Sequence, residues 1–102
     1  MKETKSMIYK PSEESRELVL YAENTGDLYR RYIVPAIKIL HKKYIKGTFD
    51  AEKSIPVWYS IVTEASKMYN REFGYSFSVT DRYTAACDLA EGYLELIEEG
   101  ID

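Results

Sequence analysis

The sequence predicts an all-α fold: a compact three-helix domain with a kinked first helix and a loosely ordered N-terminal arm. Three observations predict it. Apolar residues recur at three- and four-residue steps over three long stretches, capping residues precede those stretches, and glycines close them. One core is expected, because 102 residues is the size of one domain and no shift in composition divides the chain. A chain of this length buries roughly two thirds of the surface it exposes when unfolded. That is enough for a stable core without staples.

Residues 1–15 are polar, contain Pro11 and lack a period, which predicts a loosely held arm ahead of a single helical domain over 16–102. The run ELVLYAEN puts Leu18, Leu20 and Ala22 on one side of a two-residue alternation and Val19 and Tyr21 on the other. A short strand and a first helical turn both fit it.

The first long helix is expected near residues 26–46. Asn24 or Thr25 can cap it, Asp27 suits the positive end of its dipole, and Gly47 supplies a left-handed stop. Tyr29, Ile33, Ala36, Ile37, Leu40 and Tyr44 form its buried stripe. Pro35 removes a hydrogen bond inside this run, which predicts a kink.

The second helix is expected near 51–73, capped by Asp50 and ended by Gly74, with Ile55, Trp58, Val62, Ala65 and Tyr69 as its stripe, extended by Ile61 and Phe73. Pro56 fits the first turn of a helix starting at Ser54 and distorts one starting at Asp50, so both starts are open. The third helix, near 79–98, follows Ser78 and Asp81, which resemble a capping box. Tyr83, Ala86, Cys87, Ala90, Leu94 and Ile97 should face inward. The core set is then Ile33, Ile37, Leu40, Trp58, Val62, Tyr69, Ala86, Ala90 and Leu94.

Charge is segregated. Residues 28–47 carry Arg30, Arg31, Lys38, Lys42, Lys43 and Lys46 with no acid, whereas residues 78–102 carry seven acids against Arg82 alone. The net charge of −3 disfavours a generally basic nucleic-acid binder. Arg31, Lys38, Lys42 and Lys46 nevertheless span about 80° of the helix over about 25 Å, a strip that could track phosphates. It could equally balance the acidic last helix, within one chain or across a dimer.

Enzyme chemistry finds little support. The chain has one histidine and one cysteine, and it contains no GxSxG, HExxH, P-loop or dinucleotide fingerprint. His41, among lysines, reads as solvent-facing, and Cys87, on an alanine-rich face, reads as a small buried hydrophobe. Glu91, Glu95 and Glu98 share one helix face, but a single exposed stripe does not surround a divalent ion. No catalytic residue, metal or cofactor is expected. Ten tyrosines are the remaining oddity: Tyr29, Tyr44, Tyr59, Tyr69, Tyr83 and Tyr93 suit a core edge, while Tyr9, Tyr21, Tyr32 and Tyr75 are harder to place inside. The N-terminus lacks the apolar run of a signal peptide, no stretch is long enough to cross a bilayer, and the lone cysteine fits a reducing cytoplasm.

The segments ENTGDLYRRYIVPAIKIL, KKYIKGTFDAEKS and KMYNREFGYSFSVTDRYTAACDLAEGY resemble small helical proteins of tailed bacteriophages and other mobile elements, over residues 17–95. The shared features are Asp27 to Arg30, Pro35, Lys38, Gly47, Phe49 with Asp50, Glu72 to Gly74, and Arg82 with Ala85 and Ala86. The resemblance carries no activity. It implies an accessory protein of the bacterial host cytoplasm that binds a host factor, a replication component or DNA.

The expected function is therefore that of a non-enzymatic accessory protein. It would bind a host or phage protein, or a second copy of itself, through charged helix faces and exposed tyrosines. The candidate partner-binding residues are Tyr32, Tyr75, Glu91, Glu95 and Glu98. The alternative is a small nucleic-acid-binding module using Arg30, Arg31, Lys38, Lys42, Lys43 and Lys46, and no membrane role is expected.

Overall fold

The computed structural model describes residues 11–101, and its first helix, α1, runs Glu13–Asn24. Ser12 caps it: its Oγ accepts from the Ser15 N–H at 3.1 Å while its own N–H donates to Ser15 Oγ at 2.9 Å. This capping box uses serine at its third helical position in place of the usual glutamate, and Glu13 and Glu14 sit favourably at the dipole's positive end. Ser15, Leu18 and Ala22 are buried at helical spacing, whereas Leu20 is 54% exposed, so the two-residue alternation was not a strand signal. The arm expected over 1–15 is corrected at its end, since Ser12 to Ser15 open α1; residues 1–10 lie outside the described residues.

The next stretch comprises α2 (Gly26–Leu28), a π turn (Tyr29–Ile33) and α3 (Val34–Ile45), in unbroken succession. The Val34 N–H reaches back to the Tyr29 carbonyl, one residue further than in an α-helix. The wider turn lies immediately before Pro35, in the first turn of α3, so the distortion expected from the proline takes the form of a π turn. Thr25 occupies the cap position, but its hydroxyl donates backwards to the Tyr21 carbonyl at 2.6 Å instead of capping forwards.

Both readings of Pro56 are partly realised. Asp50 accepts from the Glu52 and Lys53 N–H groups to cap a 3-10 turn (Glu52–Ser54), and α4 (Ile55–Phe73) then starts afresh with Pro56 in its first turn. Gly74 ends α4 at φ +74°, as expected of a left-handed cap. Ser78 caps α5 (Val79–Gly92), and the carboxylate of Asp81 accepts from the Ser12 hydroxyl at 3.3 Å, joining the starts of α1 and α5. The last expected helix is split: α5 stops at Gly92, Tyr93 departs from helical angles, and α6 covers Leu94–Glu99.

The fold is thus all-helical among the described residues, with a Cα radius of gyration of 13.4 Å, but it is not a simple three-helix domain. α4 packs along α5, α1 lies against both, and α3 packs on α6. Ile33, Ile37, Leu40, Trp58, Val62, Ala86 and Ala90 are buried as expected, and Leu18, Ala22, Leu28, Phe77, Leu89 and Ile97 are among the other core residues. Tyr69 and Leu94 are only half-buried. Tyr44, Phe73 and Tyr83, placed on buried stripes by their spacing, are exposed, because helical spacing cannot say where a packing neighbour stops.

Candidate interaction surfaces

The basic residues lie where the sequence put them. Arg30, Arg31, Lys38, Lys42, Lys43 and Lys46 are all exposed. Arg30 pairs with Asp27 at 3.4 Å, both side chains being largely in water, which gives little stability. The other five make no ion pair with another described residue, so α6 does not neutralise α3 by direct contact even though the two helices pack. Sequence reading missed the apolar part of this face. Ile39 and Ile45 are 58% and 69% exposed. At 100° per residue they flank Lys38, Lys42 and Lys46 within an arc of about 120°.

His41 is not solvent-facing but half-buried, and its Nδ1 lies 2.7 Å from the Ile97 carbonyl oxygen. A carbonyl only accepts, so Nδ1 carries the hydrogen. The ring tethers α3 to α6 and is withdrawn from the lysine strip.

A second surface forms where α1 crosses the end of α4. The rings of Tyr69 and Phe77 stand 4.9 Å apart at 65°, and Tyr75 meets Phe77 at 4.9 Å and 79°. Tyr21 and Phe73 also meet Tyr69, at 5.1 and 4.7 Å between ring centroids. Tyr69, Tyr75 and Phe77 line a groove of about 300 Å³ whose remaining walls are Glu13, Glu14 and Glu17. The Tyr69 hydroxyl donates to Glu17 at 3.4 Å and the Tyr21 hydroxyl to Glu72 at 3.0 Å. Burial first, and then these carboxylates, push both phenols above their ordinary range. Phe73 and Tyr75 remain 59% and 44% exposed, and Leu20 is exposed on the same side of α1 as Glu13 and Glu17.

A third feature is a cleft of about 650 Å³ between the 3-10 turn, the start of α4 and the α5–α6 junction, lined chiefly by Ile55, Pro56, Tyr83, Cys87, Ala90 and Leu94. Cys87 is 6% exposed at its wall, as expected of a buried small residue. Burial pushes its thiol up, a hydrogen bond with Tyr83 opposes that, and the Glu91 and Asp88 carboxylates add to the rise, so the reactive thiolate is disfavoured.

The five candidate partner-binding residues do not form one site. Tyr75 borders the α1–α4 groove, Glu91 borders the Cys87 cleft, and Tyr32 stands exposed on the π turn. Glu91 belongs to α5 while Glu95 and Glu98 belong to α6, so the single acidic stripe expected there is interrupted at Tyr93. Tyr21, hard to place inside from its spacing, is half-buried against the core, and Tyr9 lies outside the described residues. The acids that meet exposed aromatics are on α1, and nothing local in the sequence brings Glu13 to Tyr75. Arg82, the lone base of residues 78–102, donates to the Phe77 carbonyl at 2.7 Å and to the Tyr59 hydroxyl at 3.3 Å. Its role in the fold is to pin the link between α4 and α5. No three His, Cys, Asp or Glu side chains among the described residues converge as metal ligands, and none of the described helices is long and apolar enough to cross a membrane. Compared with family models, curated proteins and solved structures, the chain matches none of them.

Proposed function

We propose that this chain is a non-enzymatic protein-binding factor whose principal docking face is the exposed side of α3. The observation that carries the reading is the exposure of Ile39 and Ile45, 58% and 69%, beside Lys38, Lys42 and Lys46. Phosphate contacts are made by arginine, lysine and small polar groups, and an isoleucine contributes nothing to them. An apolar protein surface edged by carboxylates satisfies both residue types at once, since interfaces combine apolar contact with charge complementarity. The resemblance to phage and mobile-element proteins supports an accessory role in a bacterial host cytoplasm, with a host or phage protein, or a second copy of the chain, as partner.

Nucleic-acid binding is the second reading. It is favoured by one observation, that Arg31, Lys38, Lys42, Lys43 and Lys46 are exposed without an ion pair to another described residue. A mobility-shift titration against single- and double-stranded DNA and RNA at several salt concentrations separates the two. The protein-binding reading expects no shift at low salt. A shift that weakens steeply with salt, and weakens further in Lys38→Glu/Lys42→Glu, would overturn it, because phosphate contacts release counterions.

A further inference from the structure

The α3 face has a counterpart on the same molecule. It combines lysines with two exposed isoleucines, while the α1–α4 surface combines Glu13, Glu14 and Glu17 with exposed Leu20, Phe73 and Tyr75. The charges are opposite and the apolar content is matched. The lengths also agree, because Lys38 to Lys46 on α3 and Glu13 to Leu20 on α1 each cover about 10–12 Å of helix. Arg16 is the one cation on α1, and it acts on Asp88, on the side facing α5, while Arg71 of α4 acts on Tyr21 beside Glu72.

We infer that the partner of the α3 face is a second copy of this chain, which receives it on the acid-rimmed aromatic groove formed by Glu13, Glu14, Glu17, Tyr69, Tyr75 and Phe77. This rests on the protein-binding reading above and names its partner. A lysine of α3 enters the groove with its alkyl stem against the rings of Tyr69 and Tyr75 and its ammonium group among the carboxylates, where ring faces and acids both attract it. Ile39 and Ile45 then cover the exposed Phe73 and Leu20. The two surfaces differ, so the contact is either made twice in a closed dimer or repeated head to tail.

Sedimentation velocity of the full chain over a concentration series, at low and high salt, tests this with two double variants, Lys38→Glu/Lys42→Glu and Glu13→Lys/Glu17→Lys. The wild type should self-associate at low salt and dissociate as salt rises. Each variant alone should associate at least about tenfold more weakly, because like charges now face one another. An equimolar mixture of the two should recover association, since every contact between unlike variants is again of opposite sign. All four positions are exposed, and circular dichroism checks that each variant is folded; Lys42→Gln and Glu17→Gln serve in its place where one is not, each weakening association on its own. A wild type that stays monomeric at millimolar concentration and low salt overturns the inference. So does association that neither variant weakens, or variants that fail to recover association when mixed. A monomer that also gives no mobility shift leaves the protein-binding reading in place with a different partner, so the two failures are distinct.

Discussion

His41 Nδ1 donates to the Ile97 carbonyl at 2.7 Å, and the far side of the same ring covers Gly100 so closely that a β-carbon there would stand 2.7 Å from Nε2. One imidazole therefore holds α3 against α6 and also occupies the space that ends α6. Gly100 lies at φ +90°, a conformation that an L side chain rarely adopts.

Replacing Gly100 by alanine should accordingly cost about 1–3 kcal/mol, from backbone strain together with displacement of His41. Gly92 is the internal control: it is helical and its missing β-carbon faces open space, so Gly92→Ala should gain about 0.4–1 kcal/mol. Denaturant melts of both variants should move in opposite directions.

The two faces of α3 make a second contrast. Ile37 is fully buried, and its truncation to alanine should cost about 2–5 kcal/mol through lost burial and a cavity. Ile39→Ala, at 58% exposure, should stay within about 0.5 kcal/mol of wild type. A large loss at Ile39 in the same melt would mean that its face is already covered in the isolated chain.

Tyr93 and Asp88 give opposite-sounding substitutions with one cause. The Tyr93 ring stacks on Trp58 at 5.5 Å and its hydroxyl donates to Glu23 at 2.9 Å. Burial, and then Glu23, hold its ionisation well above the ordinary phenol value of 10.0. A raised folded value favours the neutral phenol, so its contribution is complete below pH 10 and is lost as pH rises beyond it. Tyr93→Phe should cost about 1 kcal/mol at neutral pH by removing the bond to Glu23, and should flatten the alkaline loss of stability.

Asp88 is pushed up from 3.8 by burial first, then by Glu23 and Glu91, with Arg16 opposing. Here the favoured acid form exists only at low pH: the group's contribution is present below 3.8 and is lost as pH rises through the raised folded value. Asp88→Asn should therefore stabilise the protein at neutral pH, and the gain should vanish as the pH falls below 4. Thermal melts across that range provide the measurement.

Arg82 supplies the fifth prediction. Its guanidinium reaches the Phe77 carbonyl and the Tyr59 hydroxyl with separate nitrogens and lies over the Tyr59 ring at 5.8 Å. Lysine has one nitrogen at its tip and cannot span both acceptors, so Arg82→Lys should cost about 1–2 kcal/mol. Hydrogen exchange should show the 74–78 link opening more readily in that variant.

The helical class, the buried residues at the centre of each long helix, the proline distortion and the glycine stops were all legible in the order of residues. Each is set by local chemistry: a 3.6-residue period, a missing N–H, or a positive φ. Leu40, Trp58 and Gly74 were legible for that reason. Helix α1 was not, because its cap is a serine pair and its short apolar pattern, Leu18 and Ala22 with Leu20 exposed, is one that either period can fit. Which stripe residues stayed wet depended on where one helix packs against another. Tyr44 and Phe73 sit near helix ends where their neighbours stop, and His41 leaves its lysines because the Ile97 carbonyl lies within reach. The groove is the clearest case: Glu13 and Tyr75 are more than sixty positions apart, and it is the crossing of α1 over α4 that brings acid and aromatic together.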